Sequence, residues 1–295
     1  RLFYHESKEG FYFAAEAKGI LAVRPELRQV NEQSLGEFVA CSCILENRTL
    51  FEGIYSLPGG SNWGFRGRVI DRKETYFAAR EWEEQTPLEP EAYYQELRDA
   101  LARRLPRYLN GNEQVGMSLT GGLDTRIIMA WGKPAPDSLP CYTFGGPLCD
   151  CEDVRIARKL ASVCRQPYSV IAVGDEFLSQ FAHYAEQSVY ITEGSVDLSR
   201  TSDLYVNEKA RDIAPVRMAG TYGSELIKQT PMFKPVQPMP GLFRPEFLSS
   251  VRQAGATYAK LRQEHPVTFA AFMQSPWYHH GILALEQTSV GVRSP

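Results

Sequence analysis

The stretch VGMSLTGGLDTRIIMAWG, from Val115 to Gly132, decides the fold of this chain. VGMSL predicts a short buried strand and LDTRIIMAW predicts a helix, with Thr120, Gly121 and Gly122 forming the turn between them. Glycines can adopt positive φ and let a ligand approach the backbone closely. The free N–H groups of the helix's first turn point into the same place. The stretch therefore predicts an anion site at the carboxyl end of a strand.

The side chains around this turn indicate which anion it binds. The hydroxyls of Thr120 and Thr125 add donors for a phosphate. Asp124 would repel a bare phosphate, so its presence favours Mg²⁺ bound between the carboxylate and the phosphates. The lysine of the G-x-x-x-x-G-K-[ST] loop is absent. A strand-to-helix turn with a capping aspartate and no ligand is the other interpretation of this pattern.

Strands and helices alternate around this stretch along most of the chain. The predicted strands are 115–119, 141–144, 168–173 and 216–219, and the predicted helices are 123–131, 152–164, 177–187 and 204–213. Such alternation predicts an α/β domain with a parallel sheet and helices on both faces. Ligands of such sheets bind at the carboxyl ends of the strands. Glu152 and Asp153 begin one of the helices, where they either cap it or make a contact towards the ligand site through the loop.

The pattern is different ahead of this domain. Residues 2–21 predict a hairpin followed by a short helix, and NEQSLGEFVACSCI predicts a second helix capped by Asn31. Glycines and a proline predict a loop over SLPGGSNWGFRG, residues 56–67, and the alternation in RVIDRKETYF predicts a strand or hairpin. The stretch EEQTPLEPEA is rich in proline and glutamate and indicates a linker.

Composition limits the classes of function. A net charge of −3 and a pI near 6.0 exclude the basic surface typical of nucleic-acid binding, and no apolar run is long enough to span a bilayer. Six cysteines among 295 residues are too few for a disulfide scaffold, and the pairs Cys41/Cys43 and Cys149/Cys151 lack zinc-site spacing. We therefore expect reduced thiols and a cytoplasmic protein without nucleic-acid or membrane partners.

The motifs resemble those of a known family. TGGLDT resembles the S-G-G-x-D-S pyrophosphate loop of the PP-loop ATP pyrophosphatases, and nearly the whole chain resembles the glutamine-hydrolysing asparagine synthetase family. The matching blocks are RLFYHESKEGFYFAAEAKGIL, RTLFEGIYSLPGG, CYTFGGPLCDCEDVRIARKLA, AGTYGSELI and VGVRSP. The ordered set of blocks indicates the family far more specifically than the glycine turn does alone.

The resemblance implies three regions. These are the C-terminal part of an α+β Ntn-type glutaminase domain at 1–60, a connecting hairpin or linker at 61–90, and a synthetase-like PP-loop domain at 91–295. It also implies an internal piece of a longer protein. The glutaminase nucleophile would then precede Arg1, and a pyrophosphate-facing lysine would follow Pro295.

The resemblance further implies ATP and Mg²⁺ as cofactors and a set of site residues. The ATP-binding residues would be Leu119, Thr120, Gly121, Gly122, Asp124, Thr125, Gly146, Ala219 and Gly220. Asp124 and Glu225 are implied to be catalytic, and Asp124 is implied to bind the metal. In this family ATP activates a carboxylate as an acyl-adenylate with release of pyrophosphate, and ammonia then attacks the activated carbonyl.

Three positions depart from the family pattern. Thr221 stands where the family has a carboxylate that serves the amine-attack step, Ser224 stands at a metal-facing aspartate, and Arg126 replaces a small residue. Aspartate, giving asparagine, is the default substrate, with nitrogen from glutamine or ammonia. The changes in the AGTYGSELI block favour a specialised relative of the family, which would form a β-lactam, close a peptide ring or amidate another precursor.

Two further alternatives stay open. One is another PP-loop enzyme, such as a tRNA-thiolating one, against which the missing basic patch argues. The other is a degenerate nucleotide-binding paralogue without catalytic activity. The oligomeric state is also open, a homodimer included, and we expect this chain by itself not to catalyse the whole reaction.

Overall fold

The fold is that of a computed structural model, which describes residues 2–67, 69–78, 80–146, 151–221, 223, 225, 231–239, 241–269 and 285. The strands are β1 (Phe3–Ser7), β2 (Gly10–Ala14), β3 (Tyr55–Ser56), β4 (Ser61–Arg66), β5 (Val69–Thr75), β6 (Val115–Ser118), β7 (Cys141–Gly145), β8 (Tyr168–Ala172) and β9 (Val216–Met218). The helices are α1 (Ala17–Val23), α2 (Glu32–Cys41), α3 (Arg80–Glu83), α4 (Pro90–Leu109), α5 (Leu123–Gly132), α6 (Glu152–Val163), α7 (Asp175–Ser179), α8 (Phe181–Thr192), α9 (Thr201–Ala210) and α10 (Pro245–Glu264).

The chain divides into two compact units. The first comprises Arg1–Gln85, Val189–Leu198 and Glu225–Ala284, and the second comprises Thr86–Ser188, Ser199–Ser224 and Leu285–Pro295. The predicted regions 1–60, 61–90 and 91–295 stay a prediction. The terminal block VGVRSP, Tyr222 and Ser224 lie outside the described residues.

The first unit begins with the predicted hairpin and helix. Strands β1 and β2 pair antiparallel, β3 joins the other side of β1, and α1 packs on this small sheet through Phe3, Ala17 and Ile20. The predicted cap of α2 is confirmed, because the Asn31 side chain accepts the Ser34 N–H at 2.8 Å.

The prediction of a loop over residues 56–67 is wrong in part. Ser61–Arg66 form β4, which pairs antiparallel with β5. Two of the glycines that predicted a loop lie within this hairpin. Gly64 lies at a shift of the strand register, and Gly67 has φ +56° at the turn between the strands.

The second unit contains the predicted parallel sheet. Its strand order is β8-β7-β6-β9, and each neighbouring pair is parallel. Met117 faces one side, where it packs with Met129 of α5 and Ala157 of α6 in a single buried cluster. Gly116 faces the opposite side, where Ala214, just after α9, would lie 2.9 Å from an added Cβ. Helices α5 and α6 thus pack on one face and the segment that follows α9 packs on the other, and the predicted α/β fold class is confirmed.

Local differences from the predicted elements are small. The helix predicted at 177–187 is two helices, because α7 ends at Ser179 and the next residue, Gln180, has a φ of −107° and a ψ of 8°, which are not helical. No helix of the described residues is both long enough and apolar enough to cross a membrane. Every cysteine that the structure describes is a free thiol: Cys41, Cys43, Cys141, Cys151 and Cys164.

Candidate functional site

The glycine turn lies at the carboxyl edge of the sheet, directly after β6. Strand β6 is an inner strand, with β7 on one side and β9 on the other. The Leu119 N–H donates to the Tyr142 carbonyl at 2.8 Å, and the Thr143 hydroxyl donates to the Leu119 carbonyl. The Leu119 side chain is fully buried. Leu119 therefore anchors the turn to the sheet, with its side chain in the core.

The two threonine hydroxyls bind the turn itself. Thr125 is buried, and its hydroxyl lies 3.1 Å from the Thr120 carbonyl oxygen and 3.3 Å from that of Gly122. The Thr120 hydroxyl oxygen accepts the Gly122 N–H at 3.2 Å. These contacts tie the first turn of α5 to the loop before it. The hydroxyls predicted as phosphate donors thus also set the shape of the turn.

The two glycines are required by close packing and not by a left-handed backbone. Gly122 has φ −65° and ψ 155°, and Gly121 has no positive φ, so that part of the expectation is wrong. A Cβ at Gly121 would lie 2.8 Å from Oδ1 of Asp153 and 3.1 Å from Cδ1 of Ile156. A Cβ at Gly122 would lie 3.2 Å from Oγ1 of Thr120. The chain's own atoms fill the space that a side chain would need.

The segment after β9 packs against the start of α5. Ala219 and Gly220 are half-buried there. A Cβ at Gly220 would lie 2.7 Å from Cβ of Asp124 and 3.1 Å from the Thr125 nitrogen. A Cβ at Gly223 would lie 2.5 Å from Oδ1 of Asp124. Two blocks that are distant in sequence therefore meet at Asp124. Gly223 is part of this contact but is not among the residues predicted from the sequence. Its position in the AGTYGSELI block could have indicated that it belongs to the site.

The other predicted residues are placed as follows. Gly146 follows β7 and is exposed, and none of the described residues beyond its chain neighbours would come within 4 Å of an added Cβ. Thr221 is exposed. Glu225 is buried and belongs to the first unit, whereas Asp124 belongs to the second.

The start of α5 offers donors to an anion. The helix has no side-chain cap, and the described residues give no hydrogen-bond acceptor to the N–H groups of Leu123 and Thr125. Arg126 is exposed, and its Nε lies 3.3 Å from the Gly122 carbonyl oxygen. Two unused amides, the helix dipole and one guanidinium together favour negative charge at this place.

A metal ion at Asp124 would have few protein ligands. In the described ranges no group of three or more His, Cys, Asp or Glu side chains is arranged to hold a metal. Mg²⁺ at phosphate sites is commonly bound by one or two carboxylates together with phosphate oxygens and water. The half-buried Asp124 beside the open amides fits that kind of coordination.

No family model matches the chain. Over 161 residues the chain is 24% identical to asparagine synthetase [glutamine-hydrolyzing] 1 of Bacillus subtilis (strain 168), a match that covers 55% of this chain. The match covers 25% of the relative, so the chain spans about a quarter of that protein's length.

Two solved structures have weak likeness to the chain. The NH3-dependent NAD synthetase of Campylobacter jejuni is 13% identical with a TM-score of 0.31, covering 67% of this chain and 85% of that one. The NMN synthetase of Francisella tularensis is 13% identical with a TM-score of 0.30, covering 71% of this chain and 99% of that one. TM-scores this low add nothing to the assignment of fold or function. What the comparisons establish is a partial sequence similarity of this chain to one asparagine synthetase.

Proposed function

We propose that this chain is the nucleotide-binding part of an ATP-dependent carbon–nitrogen ligase of the PP-loop type. The ligase adenylates a carboxylate with release of pyrophosphate, and nitrogen from ammonia or glutamine then attacks the activated carbonyl and displaces AMP. The observation that carries the proposal is the glycine turn at the head of α5, where Gly220 and Gly223 pack on Asp124. The partial similarity to an asparagine synthetase supports the same reaction class and makes aspartate the default substrate.

ATP would be held at the carboxyl ends of β6, β7 and β9. In this proposal Thr120, Gly121, Gly122, Asp124 and Thr125 hold the terminal phosphates. Three more residues, Gly146, Ala219 and Gly220, contact the rest of the nucleotide, with Leu119 behind them. Bound ATP would supply the adenylyl group and a pyrophosphate leaving group, and Asp124 would hold a Mg²⁺ that could neutralise phosphate charge.

The chain's own contribution is electrostatic and positional. The amides of Leu123 and Thr125, from which no described residue accepts a hydrogen bond, would face negative charge with fixed dipoles, which cost no reorganisation during the reaction. The hydroxyls of Thr120 and Thr125 keep the turn in place around them. We propose Glu225 as a further catalytic acid because it is the one acid in the AGTYGSELI block, where the resemblance implies a catalytic role.

The domain layout, partners and location complete the proposal. Residues 1–60 would end an Ntn-type glutaminase domain, 61–90 would connect it, and 91–295 would form the synthetase-like domain. The protein would act in the cytoplasm on free carboxylate, ATP and glutamine or ammonia, and self-association as a homodimer belongs to the same hypothesis.

A specialised ligase is the second candidate, favoured by one observation. Thr221 is an exposed hydroxyl at a position where the resemblance expects a carboxylate. A site without that acid is suited to a different nucleophile or a different carboxylate. Formation of a β-lactam, closure of a peptide ring or amidation of another precursor would keep the adenylation step and change the acceptor.

ATP–pyrophosphate exchange tests both candidates. The assay uses the full-length protein that contains this chain, with Mg²⁺ and a panel of carboxylates that includes aspartate. Exchange that requires aspartate supports asparagine formation, and exchange with another acid supports a specialised ligase. Exchange with no acid, despite measurable ATP binding, would overturn the ligase proposal in favour of a non-catalytic nucleotide-binding protein.

A matched pair of variants locates the exchange activity. Asp124→Asn should reduce exchange strongly, because it removes the carboxylate proposed to bind the metal. Asp137→Asn is the control, since Asp137 is exposed in the same unit and its φ of 61° suits asparagine. Equal activity of the two variants would remove Asp124 from the proposed site.

A further inference from the structure

Asp153 reaches from α6 to the glycine turn. Its Oδ1 accepts the Gly121 N–H at 2.9 Å, although the two residues are 32 positions apart. The contact follows from the sheet order. Strands β7 and β6 are parallel neighbours, so the start of α6, which follows β7, lies beside the turn that follows β6.

This contact is separate from the capping of α6. The N-cap residue Cys151 makes no side-chain cap hydrogen bond, and Glu152 pairs with Arg155 in the next turn. Among the described residues, the Gly121 N–H is the hydrogen-bond partner of the Asp153 side chain. The sequence allowed Asp153 either to cap α6 or to make a contact outside the helix, and the structure favours the contact, which is made with Gly121.

Asp153 and Ile156 pack closely against Gly121. The two side chains are three positions apart on α6 and so lie on the same face of that helix. A Cβ at Gly121 would come within 2.8 Å of the Asp153 carboxylate and 3.1 Å of Ile156. A larger residue at Gly121 would displace these side-chain atoms, and the Asp153 carboxylate among them, which would disturb the hydrogen bond.

The hydrogen bond also orients one peptide plane. In a trans peptide the carbonyl and the N–H point in opposite directions. The peptide between Thr120 and Gly121 donates its N–H to Asp153, and its carbonyl accepts the Thr125 hydroxyl at 3.1 Å. This plane is therefore held from both sides, by α6 and by α5.

We propose that Asp153 is a positioning residue for the phosphate-binding turn. Asp153 fixes the Thr120–Gly121 peptide. The amides of Leu123 and Thr125, which follow in the chain, thereby keep the positions from which they would donate to phosphate oxygens. The role is that of a hydrogen-bond acceptor and not of a charge, since a second negative charge beside the phosphates opposes binding. The inference rests on the proposed function, because the phosphate belongs to ATP.

Three variants of the full-length protein test this role, with ATP affinity measured by calorimetry in Mg²⁺ and without any carboxylate substrate. Asp153→Ala should weaken ATP binding about tenfold, the order expected for loss of one charge-assisted hydrogen bond. Asp153→Asn keeps an acceptor oxygen and should bind ATP as the wild type does or more tightly. Glu152→Ala is the control, an acid of the same helical turn whose partner is Arg155, and it should leave the affinity unchanged.

Amide hydrogen exchange of the turn without ATP supplies the second readout. Asp153→Ala should speed exchange in the peptide that contains Gly121, and Asp153→Asn should not. Equal weakening by both Asp153 variants, tighter binding by both, or no effect of either would overturn the proposal. If the wild-type protein binds no ATP, the proposed function is refuted, and no effect of the Asp153 variants on ATP affinity can then be expected. The exchange data would still decide whether Asp153 holds the turn.

Discussion

Gly220→Ala tests how closely the segment after β9 packs on the glycine turn. The added Cβ would lie 2.7 Å from Cβ of Asp124, about 0.7 Å inside the range of ordinary van der Waals contact, which begins at 3.4 Å. It would also lie 3.1 Å from the Thr125 nitrogen. Both atoms belong to the first turn of α5 and cannot rotate away as a side-chain tip would. The backbone of one segment must move.

The size of the effect follows from the overlap. Overpacking of this kind costs about 1–3 kcal/mol. A cost near 2 kcal/mol lowers the melting temperature of a domain of roughly this size by about 4–8 °C. If ATP binds only the native arrangement of Gly220 on Asp124, the same strain raises the Kd for ATP about 5-fold to 150-fold.

The assay combines calorimetric melting with ATP titration of the full-length protein. Gly111→Ala is the control because Gly111 lies in the same unit, has no positive φ, and would place its Cβ more than 4 Å from the described residues other than its chain neighbours. The control should melt and bind as the wild type does. If Gly220→Ala also melts at the wild-type temperature, the close packing argued from the structure is refuted. A lower melting temperature with unchanged ATP affinity would separate this packing from the nucleotide site.

Three further changes test the two units. Burial alone would raise the pKa of Glu83, but hydrogen bonds from the Thr268 hydroxyl and N–H outweigh it and lower the pKa below 4.5. The ionised Glu83 side chain therefore stabilises the folded state fully above about pH 4.5, and this stabilisation is lost as the pH falls through the lower pKa of the folded state. The Glu83→Gln variant should lack this pH-dependent stabilisation when melting temperatures are measured across that pH range. Gly36→Ala should lower stability by about 1–3 kcal/mol in denaturant titrations, since its Cβ would lie 2.7 Å from the Ser250 backbone; an unchanged midpoint would argue against this α2–α10 contact. Met117→Ala, at a fully buried position in the sheet, should cost about 2–5 kcal/mol in the same titrations, and a loss below 1 kcal/mol would contradict its place in the core.

Local patterns predicted much of the secondary structure. The hairpin at the start of the chain, the Asn31 cap and the alternation of strands and helices each depend on residues within a few positions of one another. Hydrophobic periodicity failed where glycines occurred inside regular structure. Gly64 and Gly67 predicted a loop, but they serve the register shift and the turn of the β4–β5 hairpin.

The placement of the candidate site depended on contacts that no local pattern contains. The sequence indicated Gly121, Gly122 and Asp124 but assigned the glycines to backbone freedom, whereas the structure shows Gly121 packed against α6 and Gly122 against Thr120. Periodicity says nothing about which strands become neighbours. It could therefore not show that the segment with Gly220 packs on Asp124, or which of two roles Asp153 has.

The sequence by itself determined the α/β class and the strand–turn–helix at Val115–Gly132, because strand, turn and helix propensities act over a few residues. Only the tertiary structure decided what surrounds that turn. The order β8-β7-β6-β9 places the carboxyl ends of β7 and β9 on either side of β6. That order arises from packing among residues far apart in the chain, and it brings Asp153 and Gly220 to the same turn.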